Sequence, residues 1–117
     1  MTGQEQNDAR SRISPEVDSI VSSILRHHEP TRILLFGSRA RNEGRRGSDI
    51  DLCVIFERLP KRNVEVLEDL YRELYRVDAG PVDLVVYDEA GFRSRADKPN
   101  SFESRIRSEG RAVYGQA

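Results

Sequence analysis

Residues 37–52 read GSRARNEGRRGSDIDL, and the reading of this stretch decides the fold. An apolar run, 33–36, leads into it, and a second, 52–56, leads out. Both are short, rich in branched and aromatic side chains, and bounded by turn formers, which predicts two buried strands. A Gly-Ser turn thus closes one strand, and Asp49-Ile50-Asp51 opens the next. Residues two apart on a strand face the same way. Asp49 and Asp51 are therefore expected side by side, with Ile50 turned to the other face. Two carboxylates so close repel, and each is driven toward its neutral form. A hard cation removes that conflict, and Mg²⁺ accepts one or two carboxylates together with phosphate oxygens. Gly37 lets backbone approach a ligand closely. The Ser38 hydroxyl and nearby N–H groups can donate to phosphate.

The next elements supply a third acid. Residues 82–87 form an apolar run after a helical stretch, so strand, helix and strand follow one another from 49 to 87. Such a path favours a parallel pair with a right-handed crossover. The two strands then start at the same edge of the sheet. Asp83, second in its strand, should lie beside Asp49 and Asp51. The first strand must end where the second begins, so it should run antiparallel to both.

The spacing of Gly37-Ser38 from Asp49 and Asp51, with ten residues between the pairs, resembles the signature of the polymerase-beta-like nucleotidyltransferases. The short length and the wording GSRAR…SDIDL resemble their minimal nucleotidyltransferase (MNT) branch. Many relatives carry Gly where this chain has Asn42, and Asn tolerates a positive φ better than most residues. The resemblance implies an α/β nucleotidyltransferase fold, a small mixed sheet of three to four strands flanked by helices. It also implies transfer of a nucleoside monophosphate, AMP from ATP, with Asp49, Asp51 and Asp83 as catalytic carboxylates holding two Mg²⁺ ions. Gly37 and Ser38 would hold the triphosphate. The expected partner is a small all-helical HEPN toxin, one of whose tyrosines would accept AMP, with this chain as the antitoxin. Two other classes compete: a binding module that neutralises its partner sterically, and a small-molecule (antibiotic) adenylyltransferase.

Composition bounds these readings. At 117 residues, one domain is expected, residues 13–117, after a polar tail at 1–12 without periodicity. The net charge is −1, which argues against a protein held to nucleic acid by a general positive field. The cations are 17 Arg and 2 Lys, a bias that a GC-rich genome also produces. Arg39, Arg41, Arg45 and Arg46 crowd the signature loop. Such a run is usually a solvated face, but Arg39 and Arg41 lie nearest the turn and are candidates to touch a triphosphate. The single Cys53 falls inside a strand and reads as a small apolar residue. No signal peptide or membrane span is visible, so a cytoplasmic protein is expected. A homo-oligomer stays open.

Outside the signature, Ser14-Pro15-Glu16 reads as a helix start, with Val17, Ile20, Val21 and Ile24 at helical spacing. Asn63 is expected to cap a second helix with Leu67, Leu70, Tyr71, Leu74 and Tyr75 on its core stripe. Asp78-Ala79-Gly80-Pro81 ends it. Residues 90–98 are polar and show no clear period. Ser101 is expected to cap a last helix, and residues 111–114 suit an edge strand. His27 and His28 end the first helix, where a cation suits the dipole. They lack ligand-type neighbours at metal spacing.

Overall fold

The computed structural model describes residues 14–41 and 49–116. The tail at 1–12, Ile13, Asn42, Arg45 and Arg46 lie outside the described residues. The chain runs α1 (Pro15–His27), β1 (Arg32–Phe36), β2 (Ile50–Phe56), α2 (Asn63–Arg76), β3 (Val82–Asp88), α3 (Glu89–Ala96), α4 (Phe102–Glu109) and β4 (Arg111–Tyr114). The strands form one sheet in the order β3-β2-β1-β4. β2 and β3 are parallel, and β1 is antiparallel to β2 and to β4. This is the mixed α/β sheet flanked by helices that the pattern predicts.

Strand alternation sorts the core onto two faces. Ile33, Leu35, Ile50, Leu52 and Val54 pack with Val17, Ile20, Val21 and Ile24 of α1 and with Val66, Leu70 and Leu74 of α2. Leu34, Cys53 and Ile55 face the other way, against Phe92 and Ala96 of α3 and Ile106 of α4. β2 is covered on both faces, which is why its run from 52 to 56 is apolar without a break. Burial pushes the Cys53 thiol up to about 12, so it stays a neutral thiol among apolar neighbours.

The helix starts follow local chemistry. The Ser14 hydroxyl accepts from the Val17 N–H at 3.3 Å, with Pro15 in the first turn. Ser101 caps α4 in the same way through the Ser104 N–H at 3.0 Å. The cap of α2 falls one residue earlier than expected. Arg62 is the cap residue, and the Glu65 carboxylate accepts from its N–H at 3.2 Å. Asn63 is instead helical, and its side-chain amide donates to the Val86 carbonyl on β3.

Two further expectations are corrected. Tyr71 and Tyr75 are not core: Tyr75 is 90% exposed and Tyr71 38%. The buried stripe of α2 is Val66, Leu70, Glu73 and Leu74. Each tyrosine follows a buried leucine by one position, about 100° further round the helix, which carries it to the flank. From there the Tyr71 hydroxyl accepts from the Leu84 N–H at 2.8 Å and covers part of the outer edge of β3. The polar stretch 90–98 holds most of α3, which buries only Phe92 and Ala96, four apart. Asp88 caps it by accepting from the Gly91 N–H at 2.6 Å.

No helix among the described residues is long and apolar enough to cross a membrane. His27 Nε2 lies 3.6 Å from the buried Glu73 carboxylate, so it joins α1 to α2 rather than forming a metal cluster.

Candidate active site

The parallel register places Asp51 opposite Asp83 and Ile50 opposite Val82. The Ile50 N–H donates to the Pro81 carbonyl at 3.2 Å, which ties the two strand starts together. Asp49 immediately precedes β2 and is exposed. By alternation, Asp51 and Asp83 fall on the face of Cys53, Ile55, Val85 and Tyr87, the face that α3 and α4 cover further along the sheet. At this edge of the sheet Asp83 is exposed and Asp51 half-buried.

Across the antiparallel pair, Asp51 is opposite Phe36, so Gly37 follows directly beside it. Gly37 has φ +74°, and a Cβ there would fall 2.3 Å from Asp51 Oδ2. Any other residue would have to hold a left-handed φ and displace the Asp51 carboxylate. The chain then turns tightly: the Gly37 carbonyl accepts from the Ala40 N–H at 3.2 Å, and the Ser38 carbonyl from the Arg41 N–H at 3.1 Å. Ala40 drops into the core beside α1 and anchors the turn. The Ser38 hydroxyl and N–H have no hydrogen-bond partner among the described residues.

The electrostatics of the acids is unresolved conflict. Burial raises the Asp51 carboxyl above its ordinary range, and the Asp83 and Asp49 charges and a hydrogen bond with Asp83 push it the same way. A cation or a proton would relieve this. The pair suits Mg²⁺ better than a soft metal, because its donors are all carboxylate oxygens. Among the described residues no three His, Cys, Asp or Glu side chains converge into a ready-made cage.

Arg39 and Arg41 are held by partners that nothing local in the sequence signals. Arg39 pairs with Glu16 of α1 at 3.3 Å, its side chain only 11% exposed. Arg41 pairs with Glu109 of α4 at 3.3 Å. These carboxylates lie far away in sequence, and only the packing of α1 and α4 around β1 brings them near. A cavity of about 820 Å³ lies at the opposite edge of the sheet, lined by Thr31, Arg32, Arg58, Glu89 and Arg93 among others. There Glu89 already accepts from Thr31 at 2.7 Å and from Arg32 at 3.1 Å and 3.2 Å. It is remote from Asp51 and Asp83 at the strand starts.

A Gly-Ser turn at one strand end thus faces acids on two parallel strand starts, an arrangement that could hold a metal–phosphate group at a sheet edge. The chain belongs to the nucleotidyltransferase domain family, whose model it matches over residues 16–112. Among solved structures it is similar to a Sulfolobus solfataricus protein assigned as a nucleotidyltransferase, at 27% identity and TM-score 0.52. That match covers 71% of this chain and 73% of the other. It is also similar to a toxin–antitoxin crystallised with AMP-PNP, at 23% identity and TM-score 0.60 over 88% of this chain and 75% of that one. A mutant of the toxin–antitoxin MntA-HpeT matches at 20% identity and TM-score 0.57 over the same shares, 88% and 75%. The last two show likeness of fold alone. No curated protein matches the chain significantly.

Proposed function

We propose that the protein is a Mg²⁺-dependent nucleotidyltransferase that moves AMP from ATP to a tyrosine of a small helical HEPN-type toxin, and so serves in the cytoplasm as its antitoxin. The observation that carries the enzymatic part is the register of Asp51 opposite Asp83, with Gly37 packed against the Asp51 carboxylate. Family membership supports nucleotidyl transfer. Two neighbours of the same fold come from toxin–antitoxin pairs, one of them crystallised with an ATP analogue, which supports the setting and the nucleotide.

Asp49, Asp51 and Asp83 would hold the Mg²⁺ ions. Bound there, Mg²⁺ would neutralise the carboxylates and phosphates and favour ionisation of the acceptor hydroxyl. Ser38, with its N–H and hydroxyl, binds the triphosphate. Gly37 keeps the turn close enough to Asp51 for both to meet one phosphate group. The tyrosine oxygen attacks the α-phosphorus and forms the new O–P bond. The bond from that phosphorus to the α,β-bridging oxygen breaks, and the electron pair leaves with pyrophosphate. Asp83, on the outermost strand, receives the phenolic proton and passes it to water. Such transfer is mostly positioning and charge neutralisation, so the short list of groups suffices.

The test is a growth-rescue assay in cells that express the toxin, with wild type and Asp83→Asn, together with the mass of the toxin. The expected result is rescue and one added AMP with wild type only. Full rescue by Asp83→Asn, with no added mass in either case, would make the protein a steric binding module. Transfer to an antibiotic but not to the toxin would make it a small-molecule enzyme.

A further inference from the structure

A second built feature lies next to the turn. A cavity of about 190 Å³ opens between the end of β1 and one face of α4. From β1 and the turn come Phe36, Gly37 and Arg41. From α4 come Phe102, Arg105, Ile106 and Glu109, which follow the i, i+3, i+4, i+7 spacing of a single helix face. Phe36 and Phe102 meet edge to face at 5.6 Å and wall the cavity with carbon. Its charged groups are two guanidiniums and one carboxylate.

The pairing among these three is uneven. Glu109 sits four residues after Arg105, within ordinary helical ion-pair reach. Yet the Glu109 carboxylate pairs with Arg41 across the cavity at 3.3 Å. No ion pair of Arg105 forms among the described residues, and its side chain is exposed. The cavity thus carries one cation balanced by a carboxylate and one that is not.

Its place in the fold gives this meaning. Asp83 is on β3, Asp51 on the neighbouring β2, Gly37 at the end of β1 beyond that, and the cavity lies over β1 beneath α4. The charge along this line changes from negative to positive. An NTP whose α-phosphate meets the acids must send its terminal phosphates past the turn. The acids repel those phosphates, and the guanidiniums attract them.

We infer that the cavity under α4 binds the pyrophosphate end of the nucleotide, with Arg105 as a phosphate-binding residue and the Glu109 carboxylate occupying the phosphate's place on Arg41 until substrate arrives. This rests on the nucleotidyltransferase reading above. It also orients the substrate: leaving group toward α4, acceptor toward β3. A phosphate carries more charge than a carboxylate and accepts bidentate contacts from arginine, so it can displace Glu109.

The experiment is calorimetry on the full chain in Mg²⁺ with three probes: ATP, AMP and inorganic tripolyphosphate. Both side chains to be changed are exposed, so the variants should fold, and a melt checks this. Arg105→Gln should weaken ATP and tripolyphosphate about tenfold while AMP changes by less than about twofold. Arg105→Lys should recover part of the loss. Glu109→Gln should tighten tripolyphosphate, because it removes the negative charge that a phosphate meets in the cavity. If Arg105→Gln leaves ATP unchanged, or weakens AMP as much as ATP, the inference is overturned. A wild type that binds tripolyphosphate but not ATP overturns the nucleotidyltransferase reading and leaves the anion cavity standing. A wild type that binds none of the three overturns both.

Discussion

Gly37→Ala tests the contact on which the site is built. At φ +74° an L-residue is in the left-handed region, which costs roughly 1–2 kcal/mol. The new methyl would also fall 2.3 Å from Asp51 Oδ2 and 3.2 Å from its Cγ, so the carboxylate must swing aside. Forcing that side chain off its preferred rotamer adds roughly 0.5–1.5 kcal/mol. The total is about 1.5–3.5 kcal/mol, which in a domain of this size lowers the melting temperature by about 10 °C. The two contributions separate in a double-mutant cycle. In an Asp51→Ala background the clash is gone and only the backbone cost of about 1–2 kcal/mol remains, leaving a coupling of about 1 kcal/mol between the positions. The assay is thermal melting of the four proteins without Mg²⁺, monitored by circular dichroism. A drop of less than about 3 °C for Gly37→Ala, or equal drops in both backgrounds, would refute the reasoning.

Other consequences are open to direct measurement. Because the folded protein holds Asp51 above its unfolded value of 3.8, the neutral carboxyl favours folding, and that stability is lost as pH rises through the raised value. Asp51→Asn should therefore melt higher than wild type at neutral pH without Mg²⁺, and the gap should close below about pH 4; a gap that does not depend on pH would refute this. Tyr71→Phe leaves the Leu84 N–H at the sheet edge without its acceptor, which should cost about 1 kcal/mol and speed amide exchange at Leu84. Unchanged exchange there would show that water replaces the hydroxyl without loss.

The parts of the molecule legible in the sequence are those governed by short periods. Two apolar runs around a Gly-Ser turn suffice to place Asp51 at a strand start, while Asp49, expected to open the strand beside it, falls just before β2. The crossover through α2 suffices to bring Asp83 to the same edge, and the register of Asp51 with Asp83 is the one that argument predicts. What escaped had either a weak period or a long-range cause. α3 buries only two side chains, too few to mark a stripe among its arginines and serine. Tyr75 belongs to the apolar pattern of α2 by residue type, but a helix advances about 100° per residue. Once Leu70 and Leu74 face the sheet, the next position cannot do so fully. For Tyr71 that flank position is useful, since its hydroxyl reaches the edge of β3. For Tyr75 it leaves a ring in solvent.

The arginines of the signature loop show the limit most clearly. As sequence they form one charge run, and nothing local distinguishes Arg39 from Arg41. The fold gives them different neighbours. Arg39 turns back onto α1, where Glu16 and close packing leave its side chain 11% exposed. Arg41 turns toward α4 and meets Glu109 with 44% of its side chain in solvent. An exposed pair of this kind contributes at most about 1 kcal/mol, so exchanging its carboxylate for a phosphate costs little. The more enclosed Arg39 would have to give up packing to do the same. The contrast within the run, one arginine enclosed against α1 and the other half-exposed beside α4, is therefore set by which helix each one meets.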